Sequence, residues 1–521
     1  MNLTIKNRFT AELPADADTS NTTRQVANAC FSYVLPTIPS NPKLIHASIE
    51  TAAMIGLTEE DIRSETFTAV FSGKKILDGT TPYAMCYAGH QFGNWAGQLG
   101  DGRAINLTEI EYKNQSYTLQ LKGAGKTPYS RNADGLAVLR SSIREHLCSE
   151  AMHHLGIPTT RSLSLMLTGD SVLRDILYNG NPAYEKGAVV CRVAPSFIRF
   201  GSFEIFAARN DLKNLQLLAD FTIKYYYPEI ISEGKDKYLD FFKTVAGNTR
   251  KMIIGWQRVG FVHGVMNTDN MSIHGITIDY GPYGWLEDYN PHWTPNTTDL
   301  QHKRYRYVNQ PEIALWNLYQ LANALYPLIE ETSGLEEILN AYAIQFERDY
   351  SEMMRGKIGI ALHNPEDTAL VTGLVENLQL SETDMTLFFR NLSTITKTDT
   401  PEGALVKVQD AFYKPEEIKD RISDTWIFWF TQYIHRINKE MASDNQRKAS
   451  MDAVNPKYVL RNYMAQLAIE AADKEDYSLL EEIHDVLKKP YDNQPGYEKW
   501  FAKRPDWARE KVGSSMLSCS S

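Results

Sequence analysis

The densest chemistry in this chain lies in His263-Gly-Val-Met-Asn-Thr-Asp269-Asn270, followed by Met271 to Ile278 and then Asp279-Tyr-Gly281. Ser272-Ile273 and Ile276-Thr277-Ile278 flank a His274-Gly275 turn, a pattern that predicts a small hairpin. Such a hairpin would hold Asn270 at its start and Asp279 at its exit, where both side-chain oxygens can meet one divalent ion. An all-oxygen donor set of this kind suits Mg2+ or Mn2+. Well upstream, Gly97-Gln-Leu-Gly100-Asp-Gly102-Arg103 combines glycines, which let backbone amides approach a phosphate, with a fixed cation. Between these two stations lie Lys122, at the end of a strand-like run, and Glu145, on a helical pattern.

The elements that must position these residues are legible from periodicity. Tyr117, Leu119 and Leu121 alternate with Thr118, Gln120 and Lys122, so the lysine sits on the polar face of a strand. With a turn at Lys113-Asn-Gln-Ser116, residues 104–112 and 117–122 form an antiparallel hairpin. Leu139, Ile143, Leu147, Ala151 and Leu155 recur every four residues, predicting a helix from about Ala137 that Gly156 and Pro158 stop. Gly187 to Val193 reads as a further strand with Arg192 on the face opposite Cys191. Beyond residue 200 the pattern turns helical: Tyr238 to Val259, Pro311 to Ile329, Pro415 to Lys439 and Pro456 to Lys489, several opening on a first-turn proline. The aromatic runs Tyr225 to Tyr227 and Trp426 to Phe430 read as core packing. The fold class is α+β in two lobes, a β-rich N-lobe over residues 1–195 and a large α-helical C-lobe over 196–521.

Composition removes several classes of function. The chain has 521 residues with 54 basic and 64 acidic side chains, a net charge of −10, and no dense Lys/Arg run. Nucleic acid is therefore not expected as a partner. No apolar stretch is long enough to span a bilayer, so no membrane partner is expected either. Met1 to Ser20 lacks the apolar core of a secretory signal, which makes the cytoplasm the expected location. Five scattered cysteines include no CxxC pair. Cys30, Cys86, Cys148 and Cys191 sit among apolar neighbours and read as small hydrophobes, whereas Cys519 lies in a polar tail and should be open to alkylation. His146, His153 and His154 share one helix, but no Cys or carboxylate pattern completes a metal site around them.

The order of the stations resembles the layout of protein kinases: glycine-rich turn, strand lysine, helix glutamate, His-led loop ending in Asn, then Asp-x-Gly. One position departs from it. Where the kinase loop carries its catalytic Asp, five residues before the Asn, this chain has Val265, which can neither take a proton nor orient a hydroxyl. The acid stands instead at Asp269, beside Asn270. A changed geometry predicts a changed reaction, or none.

Longer motifs carry a more specific likeness. Tyr87-Ala-Gly-His-Gln-Phe-Gly93, Leu99-Gly-Asp-Gly-Arg-Ala104, Leu119-Gln-Leu-Lys-Gly-Ala-Gly125, Leu139-Arg-Ser-Ser-Ile-Arg-Glu145, His263 to Pro282 and Asn455-Pro-Lys-Tyr-Val-Leu-Arg461 closely resemble the selenoprotein O family over nearly the whole chain. The resemblance implies a kinase-like fold that transfers AMP from ATP to Ser, Thr or Tyr of protein substrates, with the nucleotide flipped to present its α-phosphate. It implies that Gly100, Gly102, Arg103, Lys122, Asp134, Gly135, Arg192, Arg199 and Asp279 line the ATP site. It implies Asp269 as general base, and Asn270 and Asp279 as ligands of Mg2+ or Mn2+. A phosphotransferase and an inactive nucleotide-binding scaffold remain open as alternatives. Two positions depart from the family pattern: Leu136 stands where relatives usually have Arg, and Tyr283 where many have Cys. Without a cysteine at 283, the family's usual bridge to the tail cysteine is not expected.

Overall fold

The computed structural model describes residues 1–518, so Cys519 lies outside the described residues. Ten strands precede residue 195: β1 (Phe31–Tyr33), β2 (Lys43–Ala47), β3 (Tyr83–Met85), β4 (Ala88–Gln91), β5 (Asn94–Gln98), β6 (Ala104–Tyr112), β7 (Gln115–Lys122), β8 (Ala137–Val138), β9 (Arg161–Arg174) and β10 (Ala183–Ala194). Eight form one antiparallel sheet in the order β1-β3-β6-β7-β10-β9-β2, with β8 on β10; β4 and β5 form a separate hairpin. The β6–β7 hairpin is the one expected, with a tighter turn. Lys113 and Asn114 both take positive φ (50° and 61°), so two residues close it and pairing resumes at Gln115 opposite Tyr112. The resulting register sets Ala104 against Lys122.

Leu119 and Leu121 are fully buried in the core, and the polar face of β7 is buried as well. Gln120 Nε2 donates to Asn106 Oδ1 at 3.0 Å, so the polar face is satisfied by side chains rather than water. The helix Leu139–His154 follows β8 directly and ends before Gly156 (φ 74°). It is buried almost all round, because the sheet covers one side and the C-terminal helices Asn462–Ala472 and Ser478–Leu487 cover the other.

After residue 195 helices dominate, including Phe200–Ala208, Gly234–Val259 and Gln310–Ile329. Two expected helices are broken. Pro415–Glu417 forms only a 3-10 turn, and the helix proper runs Asp420–Ile437. The segment expected as one helix from Pro456 contains two, parted by the polar run 473–476, where Glu475 takes φ 64° and the Asp476 carboxylate accepts from Ser478 N at 3.0 Å. Its start is delayed because Arg461 is drawn to Asp384, with both guanidinium Nη atoms bonded to the carboxylate at 2.7 and 2.9 Å. Trp426, Trp429 and Phe430 pack into a second core with Phe388 and Phe412. The first core runs through both regions of the chain, from Phe9 to Ala508. Among the described residues no helix is long and apolar enough to cross a membrane.

Glu150 stitches the Leu139–His154 helix to the sheet. It takes both Arg161 nitrogens at 2.9 and 2.8 Å, Ser162 N at 3.1 Å and Ser48 Oγ at 2.9 Å. Burial opposes its charge, but Arg161 and the Ser162 amide win and hold the carboxyl down at about 2. Against an unfolded value of about 4.3, that difference is worth ~3 kcal/mol at neutral pH. A depressed carboxylate stabilises above its unfolded value and loses the contribution as pH falls through its folded one. Glu150→Gln should therefore lower stability by about 3 kcal/mol at pH 7, with the gap to wild type closing between pH 4 and 2. Unfolding curves at both ends of that range check it.

Candidate active site

Lys122 ends β7 with its Nζ 2.5 Å from Glu145 Oε2, the strand–helix pair the spacing predicted. Arg192 comes from β10, directly across from Gln120 in the register, and its Nη2 donates to the Gln120 side chain. Its Nη1 donates to Glu145 Oε1 at 3.1 Å and to Asp279 Oδ1 at 2.5 Å. Arg199, the residue before the Phe200–Ala208 helix, donates from one nitrogen to the Asp269 carbonyl at 2.6 Å and to Asp279 Oδ2. Lys122 Nζ lies 3.5 Å from Asp279 Oδ1. Burial disfavours a charged Asp279, yet Arg199, Arg192 and Lys122 outweigh it and hold the carboxyl well below the usual range. Burial pushes the Lys122 ammonium down, and Glu145 and Asp279 only partly restore it. Asp279 itself takes φ 58°, a left-handed conformation that aspartate tolerates better than most residues.

The His263 loop is pinned from both sides. His263 stacks on Trp256 at 5.4 Å and donates from Nε2 to the Ile278 carbonyl at 2.9 Å. Thr268–Asn270 is a single 3-10 turn. Asn270 Nδ2 donates to the Val265 carbonyl at 2.9 Å, which orients the amide and leaves Oδ1 as its atom for a cation. The hairpin that follows is smaller than expected. Gly275 N donates to Ser272 O at 3.1 Å, centring the turn on Ile273-His274, one residue early. Only Met271 and Thr277 pair across it, while Ser272 pairs with Arg199 and Thr277 with Thr159. Arg199 nevertheless ties its two ends together, touching both the Asp269 carbonyl and the Asp279 carboxylate.

Asp269 is 8 % exposed, and burial raises its carboxyl to about 7. Gln91 Nε2 donates to Oδ2 at 3.2 Å, and among the described residues Oδ1 has no hydrogen-bond partner. Asn270 and Asp279 together offer hard oxygen donors of the kind Mg2+ or Mn2+ takes, and the unsatisfied Asp269 oxygen lies on the same turn as Asn270.

The remaining expected residues fall into two groups. Gly100 takes φ 76°, and a Cβ there would come within 2.4 Å of the Tyr129 ring. Together with Gly102 it wraps Asp101, whose carboxylate turns inward to Met85 N at 3.0 Å and lies 3.7 Å from Arg199. Arg103 lines the same crevice as Lys122, Ser142, Glu145 and Tyr280. Asp134 stands apart: it pairs with Arg174 of β9 at 2.7 Å, and Gly135 is held through its carbonyl by Gly125 N at 3.0 Å. Leu136 contributes its carbonyl to the same Arg174 at 3.0 Å. Tyr283 is buried, donates to the Arg144 carbonyl at 2.7 Å and lies under the Arg144 guanidinium at 4.2 Å. The four described cysteines are buried and free.

Sequence reasoning missed the β4–β5 hairpin, which lies across the Thr268–Asn270 turn. His90 N donates to Thr268 Oγ1 at 2.7 Å, Thr268 Oγ1 to Glu204 Oε2 at 2.5 Å, and His90 Nδ1 is 2.8 Å from Glu204 Oε1. Gly89 passes so close that a Cβ would stand 2.9 Å from Asp269 Oδ1. The polar pair His90-Gln91 between Gly89 and Gly93 was the available signal.

A model of the family described as "Protein adenylyltransferase SelO" matches residues 16–488. A protein of Flavobacterium johnsoniae named "Protein nucleotidyltransferase YdiU" is 70% identical over 520 residues, covering 100% of both chains. Proteins of the same name from Rhodopirellula baltica and Aromatoleum aromaticum are 55% and 53% identical, covering 100% of this chain and 99% and 100% of their own.

The Gly89 contact tests the placement of Asp269. A methyl group there must push the carboxylate aside, and a carboxylate expected to act as base would lose about 10²-fold in rate on a displacement of ~1 Å. Gly89→Ala should slow turnover by about that factor while the thermal midpoint and nucleotide titrations stay near wild type. Steady-state rates beside a melting curve check it.

Proposed function

The chain belongs to the SelO family of protein adenylyltransferases, and from that premise we propose that it moves AMP from ATP onto Ser, Thr or Tyr hydroxyls of protein substrates, releasing pyrophosphate. It is an enzyme of the nucleotidyltransferase class. The observation that carries the finer reading is the position of its acid. Val265 occupies the place of a kinase base, and the carboxylate stands at Asp269 with one buried oxygen unpaired.

In the proposed reaction the ionised Asp269 takes the proton of the acceptor hydroxyl. The hydroxyl oxygen forms a bond to the α-phosphorus as the bond from that phosphorus to the bridging oxygen breaks. The electron pair leaves on pyrophosphate, whose growing charge meets Arg192, Arg199, Arg103 and Lys122. These cations are pre-set: three of them already hold the Asp279 carboxylate in the interior, so the site is built to bind negative charge. Glu145 keeps Lys122 in place. Asn270 Oδ1 and Asp279 would hold Mg2+ or Mn2+, which would screen the phosphate oxygens. Gly100, Gly102, Asp134 and Gly135 are assigned to the nucleotide pocket by family motif alone. The Lys122–Glu145 pair supports a kinase-like two-lobed arrangement divided near residue 195.

Label from α-labelled ATP should become protein-bound, label from the γ position should not, and intact mass should rise by AMP. Asp269→Ala should cut transfer by about 10²–10⁴-fold and keep ATP binding, whereas Lys122→Ala should weaken binding itself. Incorporation from the γ position alone would overturn the reading in favour of a phosphotransferase.

A further inference from the structure

One residue past Glu145, the Leu139–His154 helix carries a histidine that the reaction does not use. His146 is fully buried and faces two others, His46 on β2 and His484 on the Ser478–Leu487 helix. One ligand atom from each lies within 4.8 Å of the other two. His46 Nδ1 and His146 Nε2 are 2.8 Å apart, and His146 Nδ1 is 2.6 Å from Ser162 Oγ. His484 is 3 % exposed, and among the described residues neither of its ring nitrogens makes a hydrogen bond. The Asp485 carboxylate at the rim lies 4.0 Å from its Nδ1, beyond bonding range.

Ring packing explains part of this cluster. His146 and His484 are nearly parallel, 11° apart with centroids at 5.8 Å, and His46 tilts against His484 at 4.4 Å. Packing alone would be served as well by aromatic rings without nitrogen, and it leaves two buried polar atoms unsatisfied, which native interiors rarely tolerate. We propose that His46, His146 and His484 bind a divalent transition-metal ion of the zinc class, at a site separate in place and in chemistry from the Asn270–Asp279 oxygen pair.

Three imidazole nitrogens are borderline donors that favour Zn2+ over Mg2+ or Mn2+. Burial keeps the rings in the neutral, ligating form: His46 is pushed down to about 4, His484 to about 3, and His146 well below its ordinary value. Zinc–nitrogen bonds of about 2.0–2.1 Å would replace the His46–His146 hydrogen bond, opening that pair slightly while the wider pairs close inward by small ring rotations. His146 ligating through Nε2 would donate its Nδ1–H to Ser162 Oγ, the outer partner that ligating histidines usually keep. His46 is only half-buried, so the cluster can be reached from solvent. The ion would join β2, the Leu139–His154 helix and a C-terminal helix, bracing the element that holds Glu145. A second grouping, Glu50, His153 and His154, is more exposed and serves as the control.

The full chain, stripped of metal by chelation, is titrated with Zn2+ against a chromogenic chelator and with Co2+ as a spectroscopic probe. Wild type should bind one equivalent at this site with submicromolar affinity, show d–d absorption with Co2+, and gain thermal stability with Zn2+. His484→Phe, which keeps the ring packing, and His46→Gln should each weaken binding by at least about 100-fold and lose the Co2+ bands. The double variant His153→Ala/His154→Ala should bind as wild type does. Should His484→Phe fail to fold, His46→Gln at its half-exposed position decides. Unchanged Zn2+ affinity in His46→Gln, or wild-type binding no tighter than about 10 µM, overturns the proposal.

Discussion

Lys122, Arg192 and Arg199 share the buried centre of this molecule with the carboxylates of Asp279, Glu145 and Asp101, and that pairing constrains everything around it. Lys122, Arg192 and Arg199 could not be taken out of water singly, since an unpaired buried charge is among the costliest features a fold can carry. Asp279 and Glu145 make the burial tolerable, with Asp279 touching all three cations and Glu145 two of them. The partners arrive on different elements: adjacent antiparallel strands, the residue just before a helix, the middle of another helix, and a loop with left-handed backbone at residue 279. The sheet register that sets Arg192 against Gln120 and Ala104 against Lys122 is therefore as much a property of the site as any side chain.

In the proposed reaction such a centre would suit polyphosphate. Cations held by a carboxylate in a low-dielectric interior are already desolvated and oriented, so an incoming triphosphate would meet donors that need little reorganisation. The acid on the other side of the site has the opposite environment. Asp269 is buried beneath β4, and that burial outweighs the pull of Gln91 and Arg199, so its carboxyl rises where that of Asp279 falls. Two aspartates ten residues apart thus acquire different chemical characters from their surroundings alone, one fit to hold charge and one fit to exchange a proton.

Much of this could be read from the chain before folding. Alternation in Tyr117 to Lys122 placed the lysine on the polar face of its strand, and the four-residue repeat from Leu139 placed Glu145 on the next helix. Both came together at 2.5 Å. Val265 and Asp269 departed from the kinase pattern by residue type alone. Periodicity also overran its limits: the apolar spacing after Pro456 continues through two helices because a polar break at 473–476 scarcely disturbs a 3.6-residue pattern.

The sequence by itself determined the order of the elements, the residue types at each station and the family, because turn chemistry, hydrophobic period and motif spacing are local and survive in one dimension. Only the tertiary structure decided which charges share Asp279, why Gly89 must be glycine, and that His46, His146 and His484 meet. His146 looked isolated on its helix because its companions lie in a strand and a helix far away along the chain. Side-chain juxtaposition of that kind arises from sheet register and helix packing, which sum many weak contacts over the whole core and leave no periodic trace in any one segment.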